Sequence, residues 1–281
     1  MSNLAKAPGQ LSYVAKDSFV HSLCGATKMA ITLCLSIAAM ITYHTFYLLF
    51  LMLASGMLFV LAKAKLSDFA TVGIWILALM AINNIAIYML APEYGVGLYE
   101  SRTELAHLFG KYYITAEQLF YQFNVTAKYL AILPASLVFF YATDPAEFAA
   151  SLCQLGVHYK AAYAVSLALR YIPDIQRQFS EISKAQQARG VDLSKNAKLA
   201  SRIKGAVSIL LPLIVSSMDR IDAIADAMDL RGFGKLKRRT WYRQKPMRLA
   251  DYSLIAASVL SIAVSVFLSI AAGSRFYNPF A

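Results

Sequence analysis

The sequence predicts an all-α, polytopic membrane protein with about five transmembrane helices and a long cytosolic helical segment. Three observations carry that expectation. The chain has 281 residues, 58% hydrophobic and only 15% charged, the reverse of a disordered composition. Its apolar residues gather in uncharged runs of membrane-crossing length. Its 27 Lys+Arg against 16 Asp+Glu leave a net charge of +11, and most of that excess falls in one stretch. Three cysteines (Cys24, Cys34, Cys153) with no CxxC pair argue against a zinc cluster or a disulfide framework.

Taken in order, residues 1 to 28 are mixed and polar, so no cleavable signal peptide is expected and the N-terminus is placed in the cytosol. Met29 to Ala62 carries no charged residue anywhere along its length. That run is too long for one crossing of a core about 30 Å thick and short for two. Tyr43, His44 and Thr45 stand near its middle, and the run reads as two short helices with a hairpin there. Phe69 to Pro92 and Tyr252 to Ser274, also uncharged, are each the length of a single span. A fourth span needs the segment from about Gln118 to Thr143 and brings Lys128 into the membrane. A lysine at that depth either marks a functional site or turns inward as structural glue. Asn83 and Asn84 read as hydrogen-bonding groups between helices.

Residues 142 to 250 hold 18 Lys/Arg and 9 Asp/Glu, whereas residues 92 to 117 hold two basic and four acidic residues. With Lys63 and Lys65 in a short loop, the positive-inside rule puts the N-terminus in, 92 to 117 out, 142 to 250 in and the C-terminus out. The expected domains are 1–141 (four membrane helices), 142–250 (cytosolic helices) and 251–281 (last span and C-terminus). Within 142–250 the uncharged runs Phe148 to Tyr159 and Gly205 to Met218 are too short to span. Three- and four-residue steps such as Tyr163, Leu167, Arg170/Tyr171, Asp174 indicate long amphipathic helices, with no strand alternation, phosphate loop or Walker A sequence.

Two of these helices end alike. One runs from Leu169-Arg170-Tyr171-Ile172-Pro173 to Ala188-Arg189-Gly190, the other from Leu211-Pro212 to Leu230-Arg231-Gly232-Phe233-Gly234. Arg189 and Arg231 hold the same place in the two endings, each directly before a glycine. Glycine after a helix supplies the left-handed closing residue and arginine complements the dipole, so each ending is sufficient as a cap. An exposed cap also aims its arginine outward, where a guanidinium can grip carboxylates or carbonyls of a partner. Asp219, Asp222, Asp226 and Asp229 share one face of the second helix; Arg170, Arg177 and Lys184 recur at a heptad spacing on the first. These stripes either brace a helix crossing, Arg170 and Arg177 against Asp222 and Asp226, or are solvated faces.

These residues bring a family into view. Thr143-Asp144-Pro145, Leu169-Arg170-Tyr171-Ile172-Pro173, Ala185-Gln186-Gln187-Ala188-Arg189-Gly190 and Ala227-Met228-Asp229-Leu230-Arg231-Gly232-Phe233 make most of the chain, 18 to 275, resemble the transmembrane T component of energy-coupling factor (ECF) transporters. Two departures stand out: the second ending has Leu230 where the family commonly has alanine, and Cys24-Gly25-Ala26-Thr27-Lys28 keeps only the last two residues of an Asp-Pro-Arg-Thr-Lys segment.

The resemblance implies a non-catalytic subunit of an ATP-driven vitamin or transition-metal uptake system in a bacterial or archaeal cell membrane. Its two Arg-Gly ends, residues Ala188, Arg189, Gly190, Leu230, Arg231 and Gly232, would enter grooves on two cytosolic ABC-type ATPase subunits. Apolar faces bearing Phe148, Leu152 and Leu155, or Ile209, Leu213 and Val215, with small residues Ala161, Ala162, Ala164 and Ala168, would carry a membrane-embedded S component. No cofactor, metal or catalytic residue is expected.

The alternatives are a conventional ABC importer permease, for which no Glu-Ala-Ala loop followed by glycine is found, and a membrane-embedded enzyme, whose candidates His21, His44, His107 and His158 lie far apart. Lys235-Leu236-Lys237-Arg238-Arg239 suits membrane lipid at the cytosolic interface rather than nucleic acid.

Overall fold

The computed structural model describes residues 18–109, 112–191, 199–236, 240–242, 244–271 and 274–280. They form two compact units, one from residues up to Asp144 together with Lys245 onward, the other Pro145–Gln244.

The first unit is a helical bundle. After a short turn of helix, α1 (Phe19–Ser22), the long uncharged run divides into α2 (Gly25–Ile41) and α3 (Thr45–Leu61). At 17 residues each they are about 25 Å long. The break falls at Thr42-Tyr43-His44, where the backbone turns extended. A 3-10 turn (Leu66–Phe69) leads into α4 (Ala70–Leu90), then come the short α5 (Tyr94–Tyr99), a hairpin of β1 (Glu104–Phe109) and β2 (Tyr112–Thr115), the long α6 (Ala116–Ala142) and, at the far end of the chain, α10 (Leu249–Ala271). Helices α4, α6 and α10 are long and apolar enough to cross a bilayer, and the apolar α2 and α3 accompany them. The architecture is that of a polytopic, all but entirely helical membrane protein. The hairpin is an addition to the sequence expectation, its strands antiparallel with His107 opposite Tyr113.

Helix α6 is the hub, half buried along its apolar window where α4 and α10 are almost wholly exposed to the surroundings. Alanines at four-residue steps make this possible: Ala127, Ala131 and Ala135 are buried against Ile31, Leu35 and Ala38 of α2 and Leu48 and Leu51 of α3. Small side chains in line let helix backbones approach, which is how helices pack when lipid offers no hydrophobic advantage. Some polar groups between the helices are bonded across them. Thr45 Oγ1 donates to Asn124 Oδ1 at 2.8 Å, and Tyr47 donates its hydroxyl to the Ser261 carbonyl.

One end of the bundle gathers Val20, Ala62, Val138 and Ala142 in one cluster and Phe69, Leu137 and Tyr141 in another. The other end gathers the Tyr43 turn, α5 and the C-terminal residues: Tyr43 N–H donates to Arg275 O at 2.8 Å, Gly95 N–H to Gln118 Oε1 at 2.8 Å, and Asn278 Nδ2 to Tyr99 O at 3.1 Å.

The second unit contains α7 (Pro145–Gln154), α8 (Tyr159–Ala188) and α9 (Leu199–Leu230). Helix α7 stops short of the end of the Phe148 to Tyr159 run because Gly156 takes φ +98° and turns the chain into α8. Pro173 and Pro212, which sit near expected helix starts, lie inside α8 and α9. Helix α8 packs on α7 and on α9.

Candidate functional site

The two Arg-Gly endings are one backbone device used twice. At the end of α8, Gly190 N–H donates to Gln187 O (3.0 Å) and Val191 N–H to Gln186 O (3.0 Å), with Gly190 at φ +86°. At the end of α9, Gly232 N–H donates to Asp229 O (2.9 Å) and Phe233 N–H to Met228 O (2.9 Å), with Gly232 at φ +65°. Each is a Schellman motif, which bonds the last free carbonyls of a helix through a left-handed residue. In both, the arginine is the C-cap, its side chain exposed. Ala188 and Leu230, the last helical residues, are exposed too.

Helices α8 and α9 are antiparallel. Gln186 Nε2 donates to Ser208 O at 3.1 Å near one end of the pair, and the Tyr163 ring lies tilted against that of Phe233, centroids 4.8 Å apart, at the other. The two arginine tips are therefore at opposite ends of one helix pair. The span of α8 between Tyr163 and Arg189 amounts to about 40 Å.

The tips are not equivalent. Beside the α9 tip lies a cavity of about 410 Å³ lined by Tyr163, Leu167, Arg170 and Tyr171 of α8, by Arg220, Ala223, Ile224, Ala227, Met228 and Arg231 of α9 or its end, and by Phe233. Among the described residues that line it are three arginines and no carboxylate. Arg220 sits 5.8 Å from the centroid of the Tyr171 ring, a cation–π distance. A neighbouring pocket of about 360 Å³ holds Asp174, Arg177, Glu181 and Arg220.

This arrangement does not contain the brace offered by the charge stripes. Among the described residues no salt bridge joins Arg170 or Arg177 to Asp222 or Asp226, and all four are exposed. The physical reason is the phase of α9: residues 220, 223, 224, 227, 228 and 231 line the cavity beside α8, which leaves Asp222 and Asp226 off that face. Arg220 is the residue the sequence reading missed, although its helical spacing to Ala223, Ile224, Ala227 and Arg231 was there to be read.

The remaining candidates separate. Lys128 is buried, with Nζ 3.2 Å from the Met40 carbonyl and 3.1 Å from the Tyr43 ring centroid, so it turns inward onto the end of α2. Asn84 joins α4 to α6 by donating to Thr126 Oγ1 at 3.0 Å, while Gln122 donates to its carbonyl at 3.1 Å. Asn83 instead borders a cavity of about 580 Å³ between α4 and α6. His21 belongs to α1, His44 precedes α3, His107 is in β1, and His158 caps α8 by accepting from Lys160 N–H at 3.3 Å. Among the described residues no three of His, Cys, Asp and Glu are grouped to hold a metal ion. Lys237, Arg238 and Arg239 of the basic cluster, and the segment from 192 to 198, lie outside the described residues.

A family model described as cobalt transport protein (CbiQ) matches residues 16–242, a range that includes both tips. The chain belongs to that family. Similar proteins bear the name energy-coupling factor transporter transmembrane protein EcfT. That of Exiguobacterium sibiricum is 25% identical over 252 residues, 86% of this chain and 92% of its own length. That of Streptococcus thermophilus is 26% identical over 272 residues, 89% and 94% of the two lengths. That of Limosilactobacillus fermentum is 35% identical over 153 residues, 52% of this chain; the match spans 57% of that relative. CbiQ family membership and the all-helical membrane architecture agree with the resemblance drawn from the Arg-Gly endings.

Proposed function

We propose that this CbiQ-family chain is the transmembrane coupling subunit of an ECF-type ABC transporter, itself non-catalytic. It links ATP hydrolysis by two cytosolic ABC-type ATPase subunits to reorientation of a membrane-embedded S component that brings in a vitamin or a transition-metal ion. One observation carries the reading: two identically capped arginine tips, Ala188-Arg189-Gly190 and Leu230-Arg231-Gly232, stand at opposite ends of an antiparallel helix pair, a spacing that suits one tip for each of two ATPases. The names of the relatives support it.

Exposed apolar side chains on α9, among them Val207, Leu211, Ile214 and Met218, offer surface for the S component. The bundle end that carries Val20, Ala62 and Ala142 is the end from which the second unit leaves, and Lys63 and Lys65 are beside it in sequence. By the positive-inside rule that end, with the N-terminus, is cytosolic in a bacterial or archaeal cell membrane.

Arg189→Glu and Arg231→Glu, singly and together, test the reading by co-purification with the ATPase pair from native membranes. The expected result is normal membrane insertion with weakened ATPase recovery in each single variant and none in the double. Undiminished recovery with the double variant overturns it.

A further inference from the structure

The chain leaves the bundle once, after Asp144, and returns once, at Lys245. Both connections are bonded to the same short segment of the bundle, residues 18 to 28. On the outgoing side, Lys28, 3% exposed, donates from Nζ to the carbonyl of Ala142, the last residue of α6, at 2.7 Å. Val20 packs on Val138 and Ala142, and the His21 ring meets Tyr141 edge to face at 5.8 Å. On the returning side, Lys245 donates from Nζ to the His21 carbonyl at 2.7 Å, and the Cys24 thiol donates to the Lys245 carbonyl at 3.5 Å. Asp251, 1% exposed, closes the set: one carboxylate oxygen accepts from Cys24 N–H at 3.0 Å and the other from Arg248 N–H at 2.8 Å.

The two halves of this node differ in what they hold. Ala142 ends a helix that is already rigid. Residues 245 to 248 have no helix or strand of their own. The bonds from residues 21 to 24 and Asp251 tie this segment to the bundle, and a tied linker passes displacement on where a flexible one absorbs it. A buried carboxylate that bonds the amide ahead of α2 and the amide ahead of α10 joins the starts of two membrane helices from opposite ends of the chain. Removing this acceptor takes the bond from the buried Cys24 amide and from the part-buried Arg248 amide, which makes the joint sensitive to a single substitution.

We propose that Lys28, the Cys24 backbone and Asp251 are the positioning residues of a mechanical joint, fixing both chain connections so that movement of the second unit reaches the membrane bundle. This rests on the coupling reading above. Its test is a distance measurement by pulsed electron spin resonance. Spin labels go on the exposed Ser216 and Ser253, the three native cysteines are replaced by serine, and the chain is in purified complex with its ATPases. The non-hydrolysable nucleotide AMP-PNP is the probe.

In the parent chain a narrow distance distribution is expected to shift on AMP-PNP. In Asp251→Ala the distribution is expected to widen at least twofold and the shift to fall to less than half, while ATPase co-purification stays unchanged. Asp251→Asn, which keeps one acceptor oxygen, is expected to fall between the two, and Lys28→Met to diminish the shift by loosening the Ala142 side. An unchanged width and shift in Asp251→Asn and Lys28→Met overturns the proposal even if Asp251→Ala does not insert. If the parent complex shows no nucleotide-dependent shift, or no ATPase is recovered with it, the coupling reading fails first, which is a different result from a parent that shifts and variants that shift equally.

Discussion

The capping glycines and the arginines before them separate by substitution. Gly190→Ala and Gly232→Ala place a side chain at φ +86° and +65°. An added Cβ at Gly190 meets no heavy atom within 4 Å, and at Gly232 the nearest is Lys235 Cδ at 3.4 Å, the end of a flexible side chain. The cost is thus conformational rather than steric, about 1–2 kcal/mol for a left-handed L-residue. Under the coupling reading, and charged wholly against the closed turn, that reduces the binding-competent fraction, and the apparent affinity for the ATPase pair, by about 5- to 30-fold at most. Arg189→Ala and Arg231→Ala leave the turn intact and remove the guanidinium. Where that group is buried and paired in the complex, the loss is about 2–5 kcal/mol, roughly 30-fold to a few thousand-fold in affinity. Titration of the solubilised chain with the ATPase pair checks the ranking, and each Arg/Gly double variant is expected to be little weaker than the arginine variant alone, because both changes act on one contact. Full affinity in the arginine variants beside weakened glycine variants refutes the reasoning and leaves the arginines as dipole partners of their own helices.

Two further predictions follow from the same packing. Asp222→Lys and Asp226→Lys are expected to alter the thermal stability of the chain by no more than about 0.5 kcal/mol, since both side chains are exposed and without an ion pair among the described residues; a large loss of complex assembly would revive the brace. Ala131→Leu inserts volume where α6 meets α2 and α3 at a residue 2% exposed, and is expected to lower stability by about 1–3 kcal/mol, read as a reduced melting temperature in detergent.

What the sequence made legible is what depends on local pattern. The membrane helices followed from uncharged length, the break at Tyr43 from a run too long for one span, and the Arg-Gly endings from the requirement that a left-handed residue close a helix. Phase within a helix was legible too, but it was counted on the acidic residues of α9 rather than on the Arg220 to Arg231 row; of the two readings of that acidic stripe, a brace or a solvated face, the exposure of Asp222 and Asp226 fits the solvated face. The hairpin at Glu104 to Thr115 was missed because its alternating residues, Leu105, His107 and Phe109, fill a short stretch between two long apolar runs that dominated the reading. The bond between Cys24 and Asp251 left no trace, because a carboxylate at one helix start and a bare amide at another carry no mark of which will meet. Pairings of that kind belong to tertiary packing alone.

Charge acts differently in the two units, and the difference separates structure from recognition. In the bundle, Lys28, Lys128 and Asp251 are buried and bonded to main-chain groups at helix ends. In the second unit, Arg189 and Arg231 are exposed at helix caps, and Arg170, Arg220 and Arg231 border one cavity with no carboxylate among the described residues that line it, Arg220 also facing the pocket of Asp174 and Glu181. Like charges brought together in this way raise the energy of the isolated chain and lower it once an anion arrives. The excess of positive charge in residues 142 to 250 is therefore more than a signal for membrane orientation. Under the coupling reading, the α9 tip suits an acidic group on the ATPase, which Arg170, Arg220 and Arg231 border, whereas the α8 tip offers Arg189 from an exposed cap. Under the coupling reading the α9 tip should lose more of its grip than the α8 tip as salt is raised, because a cluster of three charges is screened more than one.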